Sequence, residues 1–156
     1  MPQLELTTRI AAPQNRCFNL CRSIDLLCDS ISPNLRQPRN APASGLVVVD
    51  QIVELDAMQW GYRWVHRSKI TALETSYHFQ DIMVSGPFKA FTHDHYFEAN
   101  GAETLMRDRF FYELPFGWLG KAANDLVAQK TLRALLERRN RALKATAETE
   151  AWKSYL

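Results

Sequence analysis

Residues 91–113 read FTHDHYFEANGAETLMRDRFFYE, two alternating runs on either side of Asn100-Gly101. Asn-Gly accepts the positive φ that a two-residue hairpin turn demands, and alternation on both sides is the period of half-buried strands. Centring the turn on Asn100-Gly101 sets Ala99 opposite Ala102 and His93 directly across from Asp108. One face of this hairpin then carries Phe91, His93, His95 and Phe97 with Thr104, Met106, Asp108, Phe110 and Tyr112. The other carries Asp94, Glu98, Glu103, Arg107, Arg109 and Glu113, a density of charge that belongs in water. The first face is therefore internal, although it holds a carboxylate that must be paired to be buried. His93 supplies a partner. Asp108 would hold one imidazole tautomer and raise its basicity, which suits acid–base work; a satisfied pair that only orders the sheet explains the same residues equally well.

Upstream, Ser85-Gly86-Pro87 closes the preceding hairpin. A three-residue loop there brings Asp81 and Phe79 onto the internal face, with Ile70 and Ala72 continuing it; a one-residue slip would reverse this. Further turn chemistry at 56–61 and at Thr75-Ser76 divides Gly45 to Leu114 into short antiparallel strands. Near the N-terminus, Leu4, Leu6, Thr8 and Ile10 alternate as a strand, which Ala11-Ala12-Pro13 ends. Cys17, Phe18, Leu20 and Cys21 then recur at helical spacing, and a second short helix covers Ile24 to Cys28. Residues 30–45 are rich in proline and polar residues and read as a loop. After Pro115 neither glycine nor proline occurs between Lys121 and Leu156, which predicts one long helix from near Phe116 past Leu143. Its apolar residues fall on two stripes, Leu119, Ala123, Leu126 and Val127 against Leu132, Leu135, Leu136 and Leu143. That slip of phase predicts a kink near Gln129 to Thr131, or burial on different sides at the two ends.

The chain has 156 residues, 46% of them apolar and 23% charged, with a formal charge of +2. These values fit one ordinary soluble domain over residues 1–156 and exclude a disordered or disulfide-scaffold chain. A near-balanced charge argues against bulk nucleic-acid binding. The basic residues of the last helix, eight Lys or Arg against four acids after Phe116, read as a solvated outer face. No apolar run is long enough to span a membrane, and the alternating N-terminus is no signal-peptide core, so a cytoplasmic location is expected. Cys17, Cys21 and Cys28 are odd in number and lack histidines at zinc-finger spacing. His93-x-His95 shows no third ligand, so neither a metal nor another cofactor is expected.

The set Gly61, Ser68-Lys69-Ile70-Thr71, Phe79-x-Asp81, Gly86-Pro87-Phe88, Phe91-x-His93-x-His95-x-Phe97, Thr104-x-Met106-x-Asp108 and Leu114-Pro115-x-Gly117-x-Leu119-Gly120 resembles bacterial cyclase/dehydrase-like members of the SRPBCC superfamily. That superfamily also includes START lipid-transfer domains, plant pathogenesis-related pollen allergens and polyketide cyclases or aromatases. The resemblance implies an α+β helix-grip fold: a curved antiparallel sheet of about seven strands wrapped around a long C-terminal helix, with two short helices after the first strand. It also implies an elongated cavity between sheet and helix; the residue pattern lines that cavity with Phe79, Asp81, Phe91, His95, Phe97, Met106, Phe110, Tyr112 and Leu126 and adds His93 and Asp108 as the chemical pair. Three functions stay open. The chain binds a small, largely hydrophobic, aromatic or polycyclic ligand, with cyclase or dehydratase-type catalysis in which His95 or Tyr112 donates to an oxyanion. Alternatively it is a non-catalytic lipid or quinone carrier touching membranes peripherally through Phe116 and Trp118, or an accessory module whose basic helix binds a partner protein.

Overall fold

The computed structural model describes residues 2–31, 44–59, 62–114 and 121–156. In chain order they form β1 (Gln3–Ile10), α1 (Gln14–Arg22), α2 (Ile24–Ile31), β2 (Ile52–Gln59), β3 (Tyr62–Glu74), β4 (His78–Ser85), β5 (Ala90–Asn100), β6 (Glu103–Glu113) and α3 (Lys121–Ala147), then a short 3-10 turn at Glu150–Ser154. The sheet is antiparallel throughout, in the order β1-β6-β5-β4-β3-β2. Among the described residues it has six strands, not about seven. The β-branched run Val47-Val48-Val49 has strand composition but joins no strand of the sheet: next to it Leu46 makes an isolated bridge with Ser23, and Val47 N donates to the Arg22 carbonyl at 3.0 Å. A turn at Asp50, whose φ is 67°, follows before β2 begins.

The β5–β6 hairpin keeps its expected faces but not its expected register. Asn100 pairs with Glu103, so Gly101 and Ala102 are the central turn residues, and the positive φ of 64° falls on Gly101. Relative to a turn centred on Asn100-Gly101, every pair moves by two residues. His95 therefore lies directly opposite Asp108, and His93 opposite Phe110. A two-residue shift preserves side-chain parity, which is why the internal face is still Phe91, His93, His95 and Phe97 with Met106, Asp108, Phe110 and Tyr112. In β4, Asp81 pairs with His93 and Phe79 with His95, so both acquire the expected internal side. In β3 the expectation for Ala72 fails. A bulge between Ile70 and Ala72 inserts a residue, so Ile70 points inward and Leu73, not Ala72, packs on the core beyond it.

The core has three parts. Phe18, Leu20 and Cys17 of α1 pack with Phe79, Phe97, Met106, Leu143 and Ala147. Leu4, Phe91, Phe110 and Tyr112 pack with Ala128, Leu132 and Leu136. Ile24 and Val47 pack with Val53, Leu55 and Ile70. The buried face of α3 is one stripe, Ala128, Leu132, Leu136, Arg139, Asn140, Leu143 and Ala147, at successive helical spacings. Of the expected stripe Leu119, Ala123, Leu126 and Val127, the last two are 54% and 57% exposed, and the side chains of the first two lie outside the described residues. Two polar residues occupy the middle of the true stripe, so a search for large apolar side chains alone misses its continuity. The expected start of this helix near Phe116 lies outside the described residues, as does most of the 30–45 loop. Among the described residues no helix is long and apolar enough to cross a membrane.

Phe18 is wholly buried, with edge contacts to Phe79 at 6.0 Å and Phe97 at 5.5 Å. Phe18→Ala should cost about 3–5 kcal/mol, the range for deleting a fully buried aromatic side chain, as measured by urea denaturation. A loss below about 1 kcal/mol would show that α1 is not anchored on the sheet as described.

Candidate functional site

Between α2, the strands β2 to β5 and the middle of α3 lies a cavity of about 480 Å³, within the range of small-molecule sites. α1 and the C-terminal part of α3 fill one end of the concave sheet, and the cavity lies beside that packing. Its wall is aromatic: Phe91 stacks with Phe110 at 4.9 Å and with His66 at 5.0 Å, and Phe88 meets Phe91 edge-on at 6.1 Å. Of the residues expected to line it, Phe79, Asp81, Phe91, His93, His95 and Phe110 do. Phe97 and Met106 are instead packed under α1, and Tyr112 is packed with Leu4 in the second part of the core. Leu126 is exposed, because the helix presents Leu132 and Leu136 to the cavity in its place.

The polar end of the cavity is built around Asp108, which has no exposure. Its Oδ1 accepts from His95 Nδ1 at 2.8 Å and from His93 Nε2 at 3.1 Å, and its Oδ2 accepts from Asn140 Nδ2 at 2.6 Å. Arg139 Nη1 stands 3.7 Å from the same carboxylate, while its Nη2 donates to Cys21 Sγ at 2.9 Å and to the Cys21 carbonyl at 3.3 Å. On the other side of the imidazoles, Asp81 Oδ1 lies 3.4 Å from His95 Nε2 and 3.9 Å from His93 Nδ1. Asp108 thus ties down one nitrogen of each histidine, and the remaining nitrogens turn toward Asp81 and the cavity.

Sequence reasoning paired Asp108 with His93 and did not find Arg139, Asn140, Cys21 or His66. A charge at position 139, three after Leu136 and four before Leu143, was the available signal. For His66 the signal was the alternation His66, Ser68, Ile70 in β3; all three line the cavity. Gly86 is required above it, because a Cβ there would stand 2.8 Å from His66 Nδ1.

Burial opposes the charged form of both cavity histidines, and their partners drive them apart. For His93, burial and then the positive charge of His95 push the imidazole down to about 4, so it is neutral at pH 7. For His95, burial opposes the charged form, but the Cys21 sulfur and the bonds to Asp108 and Asp81 outweigh it and raise the pKa well above the ordinary value. Burial likewise opposes ionisation of Asp108, and its bonds to His93 and His95 reverse that and hold the carboxyl well below the carboxylate range. Burial lowers His66 as well, despite the attraction of Asp81, and its Nε2 lies 3.2 Å from Ser68 Oγ.

This network has consequences for stability. Exchanging His93 and Asp108 together for Phe and Leu does not leave a clean apolar wall, since His95, Asn140 and Arg139 lose their acceptor. The double variant should be about 3–5 kcal/mol less stable by urea denaturation, as for other broken buried charge networks; a cost under about 1 kcal/mol would mean that Asp108 holds nothing else together. A second consequence concerns pH. His93 has a folded pKa below its unfolded value of about 6.5, so on acidification the unfolded chain takes the proton first. Its contribution is complete above about pH 6.5 and is lost as pH falls through about 4. Asp108, also lowered, adds to the loss at still lower pH. His95 works oppositely: its contribution is full below about 6.5 and is lost as pH rises through its raised folded pKa. In metal-free buffer, unfolding free energy should fall on the order of 1–3 kcal/mol between about pH 7 and 4, and His93→Gln should abolish that part of the slope. An identical slope in the variant would contradict the neutral, buried His93.

No family model matches this sequence, and no curated protein matches it. Solved structures do. TTHA0849 from Thermus thermophilus superposes with a TM-score of 0.69 at 18% identity, over 94% of this chain and 99% of the other. A START superfamily protein from Mycobacterium smegmatis gives a TM-score of 0.70 at 14% identity, over 94% and 97%. The di-domain ARO/CYC StfQ from the steffimycin biosynthetic pathway gives 0.69 at 18% identity, over 96% of this chain and 52% of its own. At these identities the likeness concerns architecture alone, and with the topology described above it shows a helix-grip fold.

Proposed function

We propose that this protein binds a small, largely apolar molecule of aromatic or polycyclic shape, and that the ligand carries an oxygen held at the polar end of the cavity. The observation that carries this reading is the cavity's division: an aromatic wall of Phe88, Phe91 and Phe110 on one side, and the fixed His93, His95 and Asp81 group on the other. An apolar body gains from leaving water along the wall, while a polar atom left unpaired against those groups would cost about 1–3 kcal/mol. Both ends therefore select. StfQ, of the same architecture, is an ARO/CYC. By analogy, the catalytic form of this reading is cyclase- or dehydratase-type proton transfer next to a ligand carbonyl. The position of His93 supports it: Asp108 accepts from Nε2 at 3.1 Å, which leaves the Nδ1 lone pair for a ligand proton, and His95 stands beside it as a donor.

Mass spectrometry of small molecules that co-purify from the native host tests the ligand class; a consistently polar, non-aromatic ligand would overturn it. Leu135→Trp, at the half-exposed rim of the cavity, should weaken binding of an apolar fluorescent probe about tenfold or more while leaving the unfolding midpoint unchanged. His93→Gln should fold with near-native stability at pH 7, retain the apolar probe, and lower turnover by about 10²–10⁴. Unaltered chemistry and ligand profile in His93→Gln would assign the histidine to structure and favour a non-catalytic carrier.

A further inference from the structure

The polar end of the cavity has one property that hydrogen bonding within the protein does not account for. Asp108 Oδ1 takes the N–H of both imidazoles, at 2.8 Å from His95 Nδ1 and 3.1 Å from His93 Nε2. Both remaining nitrogens, His95 Nε2 and His93 Nδ1, then face the carboxylate of Asp81, at 3.4 Å and 3.9 Å. With His95 deprotonated, these are three electron-pair donors grouped within 4.8 Å of one another. A proton on His95 relieves only one of the contacts, and 3.4 Å is long for a charge-assisted bond, whose usual length is about 2.7–2.9 Å. The spacing fits something larger than a proton. Ligand atoms about 2.0–2.2 Å from a tetrahedrally coordinated ion stand roughly 3.3–3.6 Å from one another, a range the 3.4 Å contact meets and the 3.9 Å contact exceeds by a few tenths of an ångström. The ligand atoms of Asp81, His93 and His95 all lie within 4.8 Å of one another.

We propose that Asp81, His93 and His95 form a binding site for a first-row divalent cation, with Asp81 Oδ1, His93 Nδ1 and His95 Nε2 as ligands. His93-x-His95 on one strand and Asp81, paired opposite His93 on the next, place all three on the concave side without distortion of the sheet. This supplies the third ligand that the His-x-His spacing alone does not reveal. Asp108 is the positioning residue: it fixes the tautomer and plane of both rings, and is itself held by Asn140 at 2.6 Å. Two imidazoles and one carboxylate suit zinc, cobalt or ferrous iron and not calcium or magnesium, which take oxygen ligands. Three protein ligands leave a position open toward the cavity, the arrangement of a catalytic site rather than of a closed structural one. Cys21 Sγ, 3.8 Å from the far nitrogen of His95, lies behind that ring and outside the ligand set.

The inference rests on the ligand-binding reading for what the open position meets; it replaces that reading's proton-transfer form, because His93 Nδ1 and His95 Nε2 on an ion no longer exchange protons with a ligand, and it narrows the ligand. With a divalent ion bound, Asp81, Asp108, Arg139 and the metal sum to one positive charge. The preferred partner is therefore an apolar molecule whose oxygen can become anionic, a phenol or an enolisable carbonyl, which the ion would polarise as a Lewis acid.

The test is a titration of the full, chelator-stripped protein with Co²⁺, followed by visible absorption and by competition with Zn²⁺. One Co²⁺ per chain, with the absorption of four- or five-coordinate nitrogen and oxygen ligation, is expected. Asp81→Asn should weaken Co²⁺ binding by about 100-fold or more, and Asp108→Asn by about 10–100-fold with the stoichiometry kept. Circular dichroism reports whether each variant is folded; if Asp81→Asn does not fold, His93→Gln, which retains two ligands, takes its place with the same expected loss. No saturable binding by the wild type, or binding unchanged in the folded Asp81 or His93 variant, would overturn the site. An apolar probe titrated into the metal-free protein separates the two proposals: loss of probe binding with Co²⁺ binding intact counts against the ligand reading alone.

Discussion

A carboxylate with no exposure, Asp108 on the concave face of β6, is the constraint around which this half of the protein is arranged. An isolated charge there would cost several kcal/mol, so every neighbour must answer it. His95 answers from the opposing strand, His93 from the diagonal position, and Asn140 and Arg139 from the helix above. These contacts join β5, β6 and α3 at one atom group. They also explain why α3 carries two polar residues in the middle of a face otherwise made of Leu and Ala.

Such a network is a poor choice for stability alone, since well-packed apolar side chains of similar volume commonly do as well or better. Its place beside a cavity is more informative. One end of the concave sheet is filled by Phe18, Phe97, Met106 and Leu143, and that end behaves as an ordinary core. The charged groups stand at the boundary between this core and the cavity, where some face packed protein and others face the space a ligand would occupy. Environment then separates groups of the same type: His93 is driven neutral and His95 is held charged, although their rings are 3.8 Å apart. Separation of this kind between adjacent titratable groups is a mark of functional sites.

The outer face of the same strands shows the contrast. Arg107 pairs with Glu98 at 3.1 Å and Arg109 approaches Glu5 at 3.5 Å, with both arginine side chains partly exposed. Pairs in that setting are worth little, so the outer charges keep the face in water without fixing its geometry. Alternation along β5 and β6 therefore assigns two electrostatic regimes to neighbouring residues: Arg107 and Asp108 are adjacent in the chain and share almost nothing in their surroundings.

The antiparallel order, the long final helix and the internal face of the β5–β6 hairpin are legible in the residues alone, because they depend on local periodicity and turn chemistry. That reading tolerated an error of two residues in register, since parity fixes the face and not the partner. Whatever depends on distance was set by how the elements pack. Asp81 meets His93 and His95 only because β4 pairs beside β5, and Arg139 and Asn140 reach Asp108 across a long stretch of chain through the packing of α3 on the sheet. Phe97, Met106 and Tyr112 share the internal face with Phe91 and Phe110, yet whether an inward residue meets a helix or a cavity depends on what the rest of the chain lays over it. No pattern along a strand records that, because the covering element is chosen by packing between segments distant in sequence.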